Sequence, residues 1–514
     1  VTIQTVDPRT GVASDTGLVA TDDADVARIA AAAASAFADI RRRPRAWRAA
    51  MLRSIADELE SERDALVRTA VGETGLSEPR LDGELTRTVF QFRLFADAVD
   101  EGGFLEATID HAAPTPVGPG PDIRRMLIPI GPVAVFGSSN FPFAFSVPGG
   151  DTASALAAGN PIVVKAHPSH PLTSQLSFTC LRRGLEGAGA PAETAGIVFG
   201  QAAGAALVTD PHIRAVGFTG SLATGRILMD LIAERPTPIP FYGELSSLNP
   251  LVVSAGAIDA RGDEIAAGLF ASVTGSAGQL CTKPGIAFIP HDADDFVDDL
   301  VTRASAAAPQ TLLNGGIHAS FGRREDALIR EGGAVGRVRT RTGETGFTVT
   351  PTVLEIDAGD LTASATEEAF GPLILVVRYR TTDDIIAALE VVPDSLTATL
   401  HAEDGELPAL GRLITALEAH AGRLVFNGYP TGVRVSWGQH HGGPWPATNT
   451  LHTSVGVTAM RRFLRPFAWQ DAPASVLPDE LRDDFRSIPR RVDGILSVAA
   501  PDDGERRPGR DGRR

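Results

Sequence analysis

The sequence predicts an α/β protein built on a doubly wound parallel sheet, with a second α/β unit following it in the chain. Three observations carry that prediction. Short apolar strands alternate with helical stretches from residue 130 to 245, and a second series of the same kind runs from 251 to 426. The strands are also apolar along nearly their whole length, as strands covered on both faces are. At 514 residues the chain is long for one core; about 150 residues per domain gives two or three domains.

Residues 22–100 read as helices, because Val26, Ile29, Phe37 and Ile40, then Leu52, Ile55, Leu59 and Leu66, recur at mixed three- and four-residue spacings. The alanine run at 30–34 is short and flanked by Asp25, Arg28 and Asp39, so it belongs to a helix and not to a membrane span. Val133–Phe136 opens the first alternating series. A helical stretch at 148–158, the strand Ile162–Lys165, a helix over 172–185, a strand at 195–199, a short helix and a strand at 215–218 follow. In such a sheet, ligands sit beyond the carboxyl ends of the strands. The second series starts at Leu251–Val253, and its later strands fall at 286–289, 374–377, 396–400 and 423–426. Helices are expected around 293–306, 382–391 and 406–420. Residues 427–450, rich in Gly, Pro, Trp and His, read as a long loop of the kind that often carries function. No internal repeat is visible.

A formal net charge of -16 argues against non-specific binding to nucleic acid and to an anionic membrane surface. The two cysteines, Cys180 and Cys281, make no disulfide framework and suit a reducing, cytoplasmic setting. Cys180 lies on the apolar side of an expected helix and reads as a small core hydrophobe. No signal or membrane-spanning segment is legible, and the charged, Gly/Pro-broken stretch at 500–514 reads as a disordered tail.

Five places carry chemistry. Cys281 stands among Gly275, Gly278, Pro284 and Gly285, which implies backbone in close approach to something. A free thiol with a pKa of about 8.5 needs activation to act as a nucleophile; one more buried cysteine is the plain alternative. A protease-like pair would need a histidine. His167, His170, His212, His440 and His441 are candidates, none in a recognisable protease context, and the His167/His170 spacing lacks the Cys or Glu that a metal site would add. Glu244 ends an apolar strand, where a carboxylate with its pKa raised by partial burial can serve as a base. Asn140 follows Val133–Phe136, where its amide can donate to a developing oxyanion, or simply form a turn. Gly217, Gly220 and Ser221 form a strand-to-helix turn whose N–H groups suit a phosphate, although the spacing is not the usual dinucleotide fingerprint. Lys165 closes another strand at the same edge.

Together these segments resemble the aldehyde dehydrogenase superfamily, from about residue 20 to 495, in order and spacing. The resemblance rests on the motif at Asn140, Lys165, the Phe218-Thr219-Gly220-Ser221 turn, Glu244-Leu245, Gly278-Gln279-Leu280-Cys281 and Glu368-Ala369-Phe370-Gly371-Pro372. Within it, the chain looks most like the α-ketoglutaric semialdehyde dehydrogenases and related NADP-dependent aldehyde dehydrogenases, through 136–142, 149–156, 165–171, 281–285 and 427–433.

The resemblance implies an enzyme that oxidises an aldehyde to a carboxylic acid with NAD(P)+. Cys281 would attack the carbonyl, Asn140 and the Cys281 N–H would hold the oxyanion, and Glu244 would activate the hydrolytic water. Lys165, Gly217, Gly220, Ser221, Glu368 and Phe370 would line the cofactor site, and no metal is called for. Pro168 stands where many NAD-using relatives carry a ribose-binding Glu, so NADP should be accepted beside NAD. Arg182 or Arg183 can assist there, and Arg434, in place of an expected Glu, can pair with a substrate carboxylate or a loop partner. The implied division is a cofactor domain at 1–108 and 131–245, a catalytic domain at 246–445, and arms at 109–130 and 451–495 that build a homodimer or homotetramer. The expected substrate is 2,5-dioxopentanoate. Medium or long aliphatic aldehydes, CoA-dependent acylation and a non-catalytic cofactor-binding protein are the alternatives.

Overall fold

A computed structural model describes residues 1–498; the tail expectation at 500–514 lies outside them. The first alternating series forms a five-stranded, all-parallel sheet in the order Phe241–Glu244, Ala215–Thr219, Val133–Phe136, Ile162–Lys165, Ala195–Val198. Its strands are short apolar runs because both faces are covered. Val133, Val135, Ile162 and Val164 point into a core shared with Leu52, Ile55, Phe92 and Leu181. Their neighbours Ala134, Phe136 and Val163 point into the opposite core, with Val26, Leu207 and Leu228. That two-residue alternation between apolar layers is what a doubly wound sheet requires. Register then decides the function: Phe136 pairs with Lys165, and Thr219 pairs with Glu244. The segments leading to Asn140, Lys165, Gly220 and Glu244 therefore leave one edge of one sheet together.

The second series forms a seven-stranded sheet, ordered Val335–Val338, Thr352–Asp357, Leu373–Tyr379, Ile286–Pro290, Leu251–Val253, Ala398–His401, Leu424–Phe426. All its pairings are parallel except that of Val335–Val338. Here too Phe288 and Leu375 face one core while Ile289 and Val376 face the other. The helix Ala255–Thr274 leads out of this sheet directly into the loop that carries Cys281. Cys180, with no exposure, is a core residue of the helix Pro171–Gly187.

A third, five-stranded sheet joins distant segments: Leu464–Gln470, Ile123–Pro129, Thr108–Asp110, Arg490–Val492 and Ile495–Ser497. An unforeseen hairpin, Thr2–Asp7 with Val12–Val19, precedes the helices. Two expected boundaries move for visible reasons. The helix expected from 406 starts at Gly411, because Pro408 disfavours helix at the residue before it and Glu406 instead receives Ser254 Oγ and the Glu403 and Gly256 N–H groups. The strand expected from 396 starts at Ala398, since the Leu396 and Thr397 N–H groups donate to Ser247 and Asn249 side chains and not to a ladder. Residues 427–450 contain no helix or strand, as read from their composition.

Candidate active site

Asn140 lies at the end of a turn fixed from an unexpected direction, the long helix Glu78–Glu101. Glu84, wholly buried, accepts the N–H groups of Phe143 and Ala144, both at 2.8 Å, and pairs with Arg80 at 2.6 Å. Arg80 in turn donates to the Asn140 carbonyl at 3.3 Å and to Ser276 Oγ at 3.2 Å, with its guanidinium 4.5 Å from the centre of the Phe141 ring. The Asn140 amide donates to the Gln279 carbonyl at 2.8 Å. An amide carries two hydrogens, so one stays available for an oxyanion. The asparagine is thus tied to the loop that bears Cys281.

That loop takes a conformation that side chains resist. Ser276, Ala277 and Gly278 have φ of 51°, 55° and 68° in succession, and each non-glycine residue held there costs on the order of 1 kcal/mol. Surrounding contacts fix it. A Cβ on Gly278 would stand 2.3 Å from the carbonyl carbon and oxygen of Gly371, so only glycine lets the two loops touch. Asn249, itself at φ 54°, donates to the Cys281 and Lys283 carbonyls at 2.8 and 3.0 Å. The buried Lys283 ammonium donates to the carbonyls of Ala369, Gly371 and Leu373 at 3.0–3.2 Å. Cys281 is left half-buried, and its backbone N–H has no acceptor among the described residues.

The sulfur meets Glu244 and a histidine from the long loop. His441 Nε2 lies 2.9 Å from Glu244 Oε1 and 3.7 Å from Cys281 Sγ, and Ser454 donates to Glu244 Oε2 at 2.6 Å. Nε2 faces a carboxylate and so carries the proton. Burial and then the Glu244 charge push the Cys281 thiol well up from its ordinary range. Glu244 departs from expectation. Burial does act to raise it, but the His441 imidazole, and hydrogen bonds from His441, Ser454 and Cys281, hold the carboxyl below its ordinary value. The expected raised base is therefore a carboxylate kept ionised by its partners. The three ligand atoms lie within 4.8 Å of one another, a set that can also bind a soft divalent cation.

The cofactor candidates gather along the same sheet edge. Lys165 is largely buried, and burial brings its ammonium down to about 8, with no carboxylate paired to it among the described residues. Its side chain packs beside Gly204 and Phe136. Gly217 lies against Asp151, where a Cβ would come within 2.6 Å of the carboxylate, and the Gly220 N–H donates to the Glu244 carbonyl. Ser221 caps the helix Leu222–Ala233 through Thr224 N–H. Glu368 reaches Ser246 and the Ser247 N–H just beyond Glu244, and burial raises its carboxyl against the pull of Lys283. Phe370 is half-buried in the segment that Lys283 holds. An unpaired cation, a helix start and a buried carboxyl on one edge fit a nicotinamide dinucleotide.

Other candidates go elsewhere. Arg183 pairs with Glu62 at 2.8 Å, and Arg434 is exposed with no ion pair among the described residues. His167 stacks on His170, whose Nε2 meets the Ser138 carbonyl; the pair supports the Asn140 turn. His212 pairs with Asp210, and His440 is exposed. Arg80, Glu84, Arg87, Asn249, Lys283 and Ser454 were missed. For the first three there was a signal: polar residues spaced four and three apart down an otherwise apolar helix face.

The sequence matches the aldehyde dehydrogenase family over residues 1–445. The chain belongs to the aldehyde dehydrogenase family. Membership makes it an oxidoreductase that takes an aldehyde and a nicotinamide cofactor. It is 43% identical over 511 residues to alpha-ketoglutaric semialdehyde dehydrogenase 2 of Azospirillum brasilense, covering 96% of each chain. Against alpha-ketoglutaric semialdehyde dehydrogenase of Acinetobacter baylyi it is 40% identical, covering 92% of this chain and 91% of that one. Among aldehyde dehydrogenase structures, it superimposes on the enzyme of Bacillus cereus in complex with NAD+ at a TM-score of 0.78 and 23% identity, covering 91% of this chain and 93% of that one. For aldehyde dehydrogenase C of Pseudomonas syringae, as a mutant with NAD+ and octanal, the TM-score is 0.79 at 22% identity, covering 92% and 94%. Those two likenesses concern the aldehyde dehydrogenase fold. No helix among the described residues is long and apolar enough to cross a membrane.

Proposed function

We propose that this aldehyde dehydrogenase oxidises 2,5-dioxopentanoate to 2-oxoglutarate, with Cys281 as its nucleophile. The observation that carries the reading is the contact of Cys281, Glu244 and His441, with the Asn140 amide tied to the Gln279 carbonyl of the Cys281 loop. The two relatives at 43% and 40% identity, both named for this semialdehyde, support the substrate.

Glu244 takes the thiol proton as the sulfur bonds to the aldehyde carbon. The carbonyl electrons move to the oxygen, which the second Asn140 amide hydrogen and the Cys281 N–H hold. Bound NAD(P)+ supplies the hydride acceptor. Once the hydride has left the carbon and Glu244 has released the thiol proton to solvent, the carboxylate removes a proton from the water that attacks the resulting thioester carbonyl. The C–S bond breaks, the acid leaves, and the sulfur regains a proton. His441 and Ser454 hold the carboxylate in position for both proton transfers.

Lys165, Gly217, Gly220, Ser221, Glu368 and Phe370 form the cofactor wall in this reading. Pro168 is exposed, and nothing but burial acts on the Lys165 ammonium, so a 2′-phosphate meets no carboxylate and NADP is accepted. The third sheet, with Ile495 and Leu496 exposed by 74% and 58%, serves a homodimer or homotetramer in a cytoplasmic enzyme.

Rates with 2,5-dioxopentanoate and each cofactor, followed by absorbance of the reduced nicotinamide, test the proposal. Cys281→Ala should abolish turnover and keep cofactor binding; retained turnover places the nucleophile elsewhere. Glu244→Gln should give a slowed but stoichiometric burst, then steady turnover reduced at least about 100-fold. Absence of the burst amplitude refutes the deacylation role.

A further inference from the structure

The helix Glu78–Glu101 presents two guanidinium groups to the site, in different states. Arg80 is fully engaged by Glu84, Ser276 and the Asn140 carbonyl. Arg87, nearly two turns further along, is not. Its guanidinium lies 5.1 Å from the centre of the Phe145 ring, and Nε makes one long hydrogen bond, 3.4 Å, to the Val433 carbonyl. Nη1 is buried and has no hydrogen-bond partner, and Arg87 has no salt bridge among the described residues. The nearby carboxylates are already committed, Glu84 to Arg80 and two N–H groups, and Glu244 to His441 and Ser454.

Position gives this idle donor a meaning. The Phe145 ring under Arg87 is 6.3 Å from the His441 ring, whose Nε2 is 3.7 Å from the sulfur. Burial lowers the Arg87 pKa, while the charges of Glu84, Cys281 and Glu244 oppose that shift; arginine stays protonated throughout. A buried cation without a paired anion is costly unless something completes it. Arg423 also feels Cys281, but its Nη2 is held by the Pro430 carbonyl at 2.7 Å.

We propose that Arg87 selects the substrate: its guanidinium, paired with no carboxylate among the described residues, receives the carboxylate at the far end of a short acidic semialdehyde whose aldehyde carbon lies at Cys281. This rests on the acidic-aldehyde reading above and extends it to a residue. From its aldehyde carbon to its carboxylate carbon, a five-carbon semialdehyde has only four C–C bonds of about 1.5 Å each, so the cation that pairs with it must line the same small site. An aldehyde ending in a methyl group would leave the cation unpaired.

The test is the ratio of kcat/KM for 2,5-dioxopentanoate to that for pentanal, which has the same chain length and no carboxylate. Arg87→Met should lower this ratio about 100-fold, mostly through KM for the acidic aldehyde. Arg87→Lys should lower it less, because charge remains but the planar fork is lost. Arg423→Met should keep the ratio within about threefold. An unchanged ratio in Arg87→Met overturns the inference, as does equal loss on both aldehydes in Arg87→Met and Arg87→Lys, which marks a structural role. A wild-type enzyme with no preference for the acidic aldehyde overturns the substrate reading along with it; a preference that survives Arg87→Met overturns this inference alone.

Discussion

Glu244 shows how its neighbours set the charge of a buried carboxyl. Alone, a carboxyl at 3% exposure would be driven toward its neutral form. The imidazole at 2.9 Å and the Ser454 hydroxyl at 2.6 Å reverse that outcome. In the proposed reaction the active form is the carboxylate, present above a depressed pKa and lost as pH falls through it. His441→Gln removes the larger opposing influence and leaves burial in charge, so the carboxyl should titrate higher. The acid limb of the pH–kcat profile should then move up by about one pH unit or more. A limb that stays in place would mean that Glu244 does not govern it. This residue pair was the hardest part to read from sequence. Five histidines were candidates, and nothing local distinguishes His441, which sits 197 residues from its carboxylate in a loop without secondary structure. Cys281, Glu244 and Asn140 stood out as candidates, a lone thiol in a glycine-bounded loop and polar residues at strand ends, but their proposed roles came from the family resemblance.

At the level of elements, the strands of the first sheet and five of the seven in the second could be read closely, since a continuous apolar run of four or five residues has few other uses; Val335–Val338 and Thr352–Asp357 were not read as strands. Boundaries moved where side chains outcompeted the backbone, as Ser247 and Asn249 do at Leu396 and Thr397. The contact between the Cys281 loop and the segment 368–373 could not be read, because it depends on two glycines, 278 and 371, meeting across 93 residues. Gly278→Ala puts a methyl group onto the Gly371 carbonyl and forces an L-residue to φ 68°. It should lower kcat at least about tenfold and raise the cofactor KM together, with thermal stability reduced by a few degrees. Loss of stability with normal kinetics would mean that the loops need not touch for turnover.

Across the whole molecule, three sheets divide the labour. The first aligns the cofactor candidates and Glu244, the second carries Cys281, and the third gathers segments from residue 108 to 497 into an outlying layer. That layer's last strands expose Ile495 and Leu496 with Val498 beside them at 71%, an apolar strip unusual for a strand at an open edge. Light scattering on the full chain should give the mass of a dimer or tetramer, and Ile495→Lys with Leu496→Glu should shift it toward one subunit. A monomeric wild-type chain would refute the proposed assembly. The family resemblance marked 451–495 as an arm but did not give this strip, because exposure is a property of the folded surface and not of a short apolar run.

Lys283 sits two positions after the thiol and holds three carbonyls of the strap that carries Glu368. Cys281 and that strap are thereby joined through one side chain. Any tug on the strap is felt at the sulfur, so the protein cannot loosen its hold at one end of the crevice without re-aiming the reactive atom at the other.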